Sequence, residues 1–112
     1  MNLRKILIGL VFTAVAIAVV SLFWKRSELL IAILIVLSLL KQKLAPIKGA
    51  FLWFIVVSIL GPVVEIFVMS FGGNPWAYAL PSLFGAPLWL FPLYGLAGTT
   101  FITLYEGFFS LK

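Results

Sequence analysis

Apolar residues run along this chain in long unbroken stretches, without the strict alternation of a half-buried strand. The first stretch, Ile6 to Trp24, is led in by Arg4 and Lys5 and stopped by Lys25 and Arg26. Its 19 residues make a helix of about 28 Å, close to the thickness of a hydrocarbon core. Ala14-Val15-Ala16 and Ala16-Ile17-Ala18 look like signal-peptide cleavage sites, but the run continues past them, which is the pattern of a retained membrane anchor. The second run, Leu29 to Leu40, reaches only about 18 Å as a helix. Counted from Ser27 to Leu44, with Lys41 and Lys43 snorkelling to the interface, it becomes a span. A re-entrant segment is the alternative. The tight Lys25–Glu28 link makes these two helices an antiparallel hairpin, with Ser27 as N-cap and Glu28 in the first turn. The third run is Gly49 to Phe71, interrupted by Gly61-Pro62 and Glu65. The uncharged stretch from Gly72 to Ala86 holds breakers at Gly72-Gly73-Asn74-Pro75, Pro81 and Gly85. The fourth run is Pro87 to Phe109, containing Pro92 and Glu106.

This pattern predicts an all-α, polytopic membrane protein with a single transmembrane domain, residues 1–112. Its spans are expected near 6–24, 27–44, 49–71 and 87–109, with a broken Pro/Gly-rich extracytoplasmic loop at 72–86. Composition agrees: 64% of the residues are hydrophobic and 10% charged, against roughly 45–50% and 25% in ordinary soluble domains. A chain of 112 residues has too little interior to hide that much apolar surface from water.

The net charge of +5 does not indicate a nucleic-acid partner, because the basic residues sit only at the edges of the apolar runs. With four spans, Arg4, Lys5, Lys41, Lys43, Lys48 and Lys112 share one side, and Lys25 and Arg26 the other. The basic side faces the cytoplasm, so both termini are expected there, in a protein of the plasma (inner) membrane. Trp76, Tyr78, Trp89 and Tyr94 then fall near the outer interface, where aromatic belts form.

Chemistry has few places to reside. The chain has no cysteine and no histidine, no nucleotide-binding motif and no metal-ligand spacing, so no cofactor or metal is expected. Glu65 stands out, because a carboxylate in a bilayer is costly and faces a protein interior or a wet cavity. It lies six residues before Phe71, about 9 Å below the outer end of its helix. Burial favours its neutral form, which can donate a proton or a hydrogen bond. Ser58, Gly61 and Glu65 share one helix face, and Pro62 frees the carbonyl of Ser58, making a polar notch. Such a notch can pack against a neighbouring helix, or hold a ligand with Glu65 as candidate catalytic acid. Glu106, near the cytoplasmic end of the fourth run, can reach the interface or pair with a lysine. The two glutamates differ in depth by about 20 Å, too far to act as an acid–base pair. Gly95, Thr99, Thr103 and Gly107 recur every fourth residue, with Gly98 and Thr100 beside them. Small residues at this period form a helix-packing seam, in which threonine hydroxyls can bond across.

The segment Gly61-Pro62, Glu65, Gly73, Trp76, Tyr78, Pro81, Gly85, Pro87-Leu88-Trp89 and Tyr94-Gly95 resembles the glutamate, G-x-W-x-Y, P-x-x-x-G-x-P-L-W pattern of uncharacterised bacterial small polytopic membrane proteins. More loosely, it looks like the pattern of carotenoid hydratase-type membrane proteins. The first resemblance implies architecture, and the second implies Glu65 as a catalytic acid. Physically, the breakers force non-helical backbone near the membrane surface, which must be buried or line a cavity. Trp76, Tyr78 and Trp89 would wall that cavity, with Glu65 at its floor and Ser58 nearby. The alternative is a rigid cap stapling the third and fourth helices.

Three function classes remain. The first is a non-catalytic subunit, assembly factor or accessory protein working through its helices, with membrane lipid, another membrane protein or a second copy as partner. It is favoured by short length and the small-residue seam. The second is an enzyme acting on a lipid or isoprenoid, with Glu65 as general acid and Tyr78 as helper. The third is a subunit of an oligomeric transporter, since four helices alone make a thin pathway.

Overall fold

The computed structural model describes residues 2–72 and 86–109. The described residues form four helices: α1 Leu3–Phe23, α2 Ser27–Leu44, α3 Ala50–Phe71 and α4 Leu90–Phe109. The expected outer loop, with Trp76 and Tyr78, lies outside the described residues except at Gly72 and Ala86. Two of the helices, α1 and α3, are long and apolar enough to cross a membrane.

Each helix boundary has a local cause. Asn2 caps α1 by accepting from the Lys5 backbone N–H at 3.2 Å. The turn into α2 closes through backbone bonds alone, Arg26 N–H to Phe23 O at 2.8 Å and Leu30 N–H to Arg26 O at 2.9 Å. The helix therefore starts one residue earlier than a Ser27 cap requires. Arg26 occupies the cap position without a side-chain bond, and Ser27 Oγ is buried with no partner. After α2, Gln42 clasps Ile47 twice, accepting from its N–H at 3.1 Å and donating to its carbonyl at 3.2 Å. Gly49 then turns the chain with φ of 71°, a left-handed conformation that glycine adopts without a Cβ clash. α3 runs on through Pro62, which is fully buried.

The fourth helix begins at Leu90, three residues later than its apolar run. Pro87 to Trp89 form a turn, with Leu90 N–H bonded to Pro87 O at 3.1 Å and Phe91 N–H to Leu88 O at 3.3 Å. This start puts Pro92 in the first turn, where a helix leaves its N–H groups unpaired anyway, so the missing donor costs nothing.

α4 is the centre of the bundle: α1, α2 and α3 all pack on it, and α1 also packs on α2. The core joins Phe12 and Ala16 of α1, Leu30 and Leu34 of α2, Met69 of α3, and Ala86, Trp89, Leu90 and Leu96 at and before α4. Lys41 continues the buried stripe of α2 beyond Leu30 and Leu34. Its side chain is 0% exposed instead of snorkelling, because its register points it at the bundle and not outward. Large apolar side chains, Leu22, Phe51, Phe71 and Phe101 among them, cover the outside.

Candidate functional site

The expected polar face of α3 docks on α4. Ser58 is buried where α4 offers Gly95; a Cβ added there would stand 2.6 Å from Phe54 Cε2 and would overlap Ser58 Oγ. Val57 meets Gly98 in the same way, at 2.7 Å from an added Cβ. One turn further out, Gly61 receives the ring of Tyr94, 2.7 Å from an added Cβ at the Cε1 edge. Without a Cβ the ring lies against the α3 backbone, and its hydroxyl reaches Glu65, donating to Oε2. Tyr94 is thus the partner that sequence reading missed, since it read there only as a belt residue. Depth could have found it. Glu65 lies six residues before the end of α3 and Tyr94 four after the start of α4, so both sit about 6–9 Å in from the same end.

Glu65 and Tyr94 stand at one end of an open groove of about 650 Å³ between α1 and α4. At the inner end the two helices touch, since Leu104 overlies Gly9, and Gly107 lies against Ile6 and Lys5. Further out they part, and the small side chains of Ala16 and Ala97 leave the space. The α4 wall runs from Leu90 to Leu104, about 21 Å along the helix. It is apolar for most of that length. Thr13 and Ser21 donate to the carbonyls of Gly9 at 2.8 Å and Ile17 at 2.7 Å, which uses their donors and leaves their hydroxyls only as acceptors toward the groove. Thr100, on the opposite wall, has a buried hydroxyl with no hydrogen-bond partner. Among the described lining residues, Glu65 and Tyr94 are the ones that ionise.

The remaining expected site residues separate from this groove. Trp89 is buried in the core cluster and does not line the groove. Trp76 and Tyr78 lie outside the described residues. Gly95, Thr99, Thr103 and Gly107 are buried, but Gly95 faces α3 while Gly107 faces α1. Their threonines do not bond across helices: Thr99 donates to Gly95 O at 3.0 Å and Thr103 to Thr99 O at 3.2 Å, inside α4 itself. Glu106 pairs with Lys5, Nζ to Oε1 at 3.1 Å, at the far end of the bundle from Glu65. Twelve residues separate it from Tyr94, about 18 Å along α4. Among the described residues no cluster of potential metal ligands forms.

Compared with protein-family models, curated proteins and solved structures, the chain matches none of them.

Proposed function

We propose that the chain is an integral membrane protein with four spans and cytoplasmic ends. In this reading it is a non-catalytic accessory protein or subunit that binds a single apolar chain in the groove between α1 and α4. The Glu65–Tyr94 pair anchors the polar end of that ligand. The observation that carries this reading is the groove itself, a long apolar trough of about 650 Å³ with one hydrogen-bonded carboxyl–phenol pair at its end. That size falls among ligand pockets of about 300–1,000 Å³, and a few convergent polar groups on apolar walls are their usual make-up. The outward-facing Leu22, Phe51, Phe71 and Phe101 support the membrane setting, because so continuous an apolar exterior is untenable in water. Glu106, engaged by Lys5 and about 18 Å from Tyr94 along α4, is too far to share acid–base work with Glu65, which favours binding over catalysis.

Native mass spectrometry of protein extracted from its own membrane tests the binding. A lipid-sized adduct is expected on the unaltered chain and should disappear in Ala97→Leu, which fills the groove without touching Glu65. An adduct unchanged in Ala97→Leu would remove the groove from consideration. A stoichiometric protein in its place would keep the accessory role and reassign the groove to a partner helix. Cysteine labelling tests the topology in this cysteine-free chain. In intact cells Lys25→Cys and Gly72→Cys should react with an impermeant reagent, whereas Asn2→Cys and Lys43→Cys should not. Reaction at both Lys43→Cys and Gly72→Cys would show that the chain from α2 to α3 does not cross as proposed.

A further inference from the structure

The polar groups of the groove between α1 and α4 are alike in kind: they accept hydrogen bonds and have little left to donate. On the α1 wall, Thr13 and Ser21 give their protons to Gly9 O at 2.8 Å and Ile17 O at 2.7 Å, so their oxygens remain as acceptors. At the outer end Tyr94 gives its proton to Glu65 Oε2, which leaves the phenol oxygen as an acceptor beside a carboxyl. Thr100 keeps an unengaged hydroxyl, but its oxygen is itself buried and does not open on the groove. The start of α4 withholds donors as well. A helix N-terminus ordinarily leaves N–H groups free, and these attract anions. Here Leu90 N–H is bonded to Pro87 O at 3.1 Å, Phe91 N–H to Leu88 O at 3.3 Å and Leu93 N–H to Trp89 O at 3.2 Å, and Pro92 has none. Among the described lining residues there is no lysine or arginine. Lys25 and Arg26 lie beyond the end of α1, and the Lys25 ammonium sits over the Trp24 ring, 5.3 Å from its centroid.

A ligand head in such a groove is sorted by what it can donate. A carboxylate or phosphate sets acceptors against acceptors, and it carries a charge into an apolar trough that holds no cation to balance it. Protonation of Glu65 would add one donor and still leave that charge unbalanced. An ester head is neutral but accepts only, so it gives the pair nothing. An ammonium head donates, but it requires a charge to be stripped of water. A hydroxyl donates to the Glu65–Tyr94 pair and has no charge to desolvate. Ile17, Ala97 and Phe101 along the groove are exposed, so its long side is open and a chain can enter sideways from surrounding lipid.

We propose that the groove selects a long-chain alcohol, an uncharged chain whose terminal hydroxyl donates into the Glu65–Tyr94 pair, and that it excludes fatty acids and acyl esters of the same length. This rests on the groove reading above and names the ligand class for it. Ala97→Leu separates the two. Lipid responses that survive in Ala97→Leu would end the groove reading, whereas responses that vanish there but ignore the head group would end the selection alone.

Thermal unfolding of the full chain in an uncharged detergent tests the proposal, with hexadecanol, methyl palmitate, palmitate or hexadecylamine titrated at matched mole fraction and at a pH where palmitate is ionised. A ligand that binds the folded chain raises the midpoint in proportion to its affinity. Hexadecanol should raise it saturably. Methyl palmitate should bind about tenfold more weakly, the worth of one hydrogen bond in a dry site, about 1.4 kcal/mol. Palmitate should fall further behind than the ester, because it adds an unbalanced charge to the missing donor. Glu65→Gln supplies N–H donors and removes the acid, so it should narrow the gap between palmitate and hexadecanol at least threefold. Equal responses to hexadecanol and methyl palmitate, or a palmitate response as large as that of hexadecanol, would overturn the selection in the unaltered chain, whether or not Glu65→Gln folds. A larger response to hexadecylamine would reassign the groove to a cation and overturn the alcohol, and an unchanged gap in folded Glu65→Gln would show that the pair does not read the head.

Discussion

One helix, α4, meets α3 and α1 through the same device with opposite results. Against α3, the glycines at 95 and 98 on α4 and Gly61 on α3 bring the two backbones together over the outer half of the interface. Against α1, Gly9 and Gly107 close only the inner end, and the helices then diverge around Ala16 and Ala97. The first interface is sealed and carries the Glu65–Tyr94 bond on its flank; the second is a hinge-like wedge whose open side is the groove. Small residues therefore do not by themselves specify contact. A glycine facing a large side chain is filled, as Gly61 is by Tyr94, whereas alanines facing one another leave a trough.

Breaking the sealed side should have the largest effect. Gly95→Leu drives a side chain into Phe54 and Ser58, and overpacking of this kind costs about 1–3 kcal/mol or more. It should appear as lost folded protein in a detergent stability assay, and normal stability would mean that α3 is not seated as described. Next comes the polar bond on the same flank. Glu65→Leu leaves the Tyr94 hydroxyl without its acceptor, at a cost of about 1–3 kcal/mol. Glu65→Gln, which keeps an acceptor oxygen, should lose less than half of that; equal losses would show that charge, and not the hydrogen bond, matters there. The smallest effect belongs to the exterior. Phe101 is 71% exposed, so Phe101→Leu should change stability by no more than about 0.5 kcal/mol. A large loss would reveal a partner on that face.

Much of this architecture can be read along the chain, because the apolar runs are long and their ends are marked by charge, glycine and proline. The four helices occupy those runs, with α4 shortened at its start by Pro92. The site was less legible. Glu65 advertises itself as an acid in an apolar run, but its partner is a tyrosine that looks like any interfacial aromatic. Only matching depths on antiparallel helices connects them. Lys41 is harder still. A lysine near the end of a span reads as a snorkelling side chain, and its burial depends on the register of α2 against α4, a tertiary fact with weak local signature. The periodic stripe on α4 predicts close approach without saying to what, and its two ends face different helices. The outer segment with Trp76 and Tyr78 stands outside the described residues and adds nothing to this comparison.

The position of α4 at the centre also sets an order of events during biosynthesis. Chains emerge from the ribosome N-terminus first, at about 5–20 residues per second. The hairpin of α1 and α2 can form early, since those helices touch each other. α3 then follows before Tyr94 and Gly95, which its Gly61 notch, Glu65 and Ser58 meet in the finished bundle, have been made. Of the four helices, the one on which the others lean is made after them. Until α4 is made, a nascent chain holds α1, α2 and α3 without the helix they share, with the glycine notch of α3 still open.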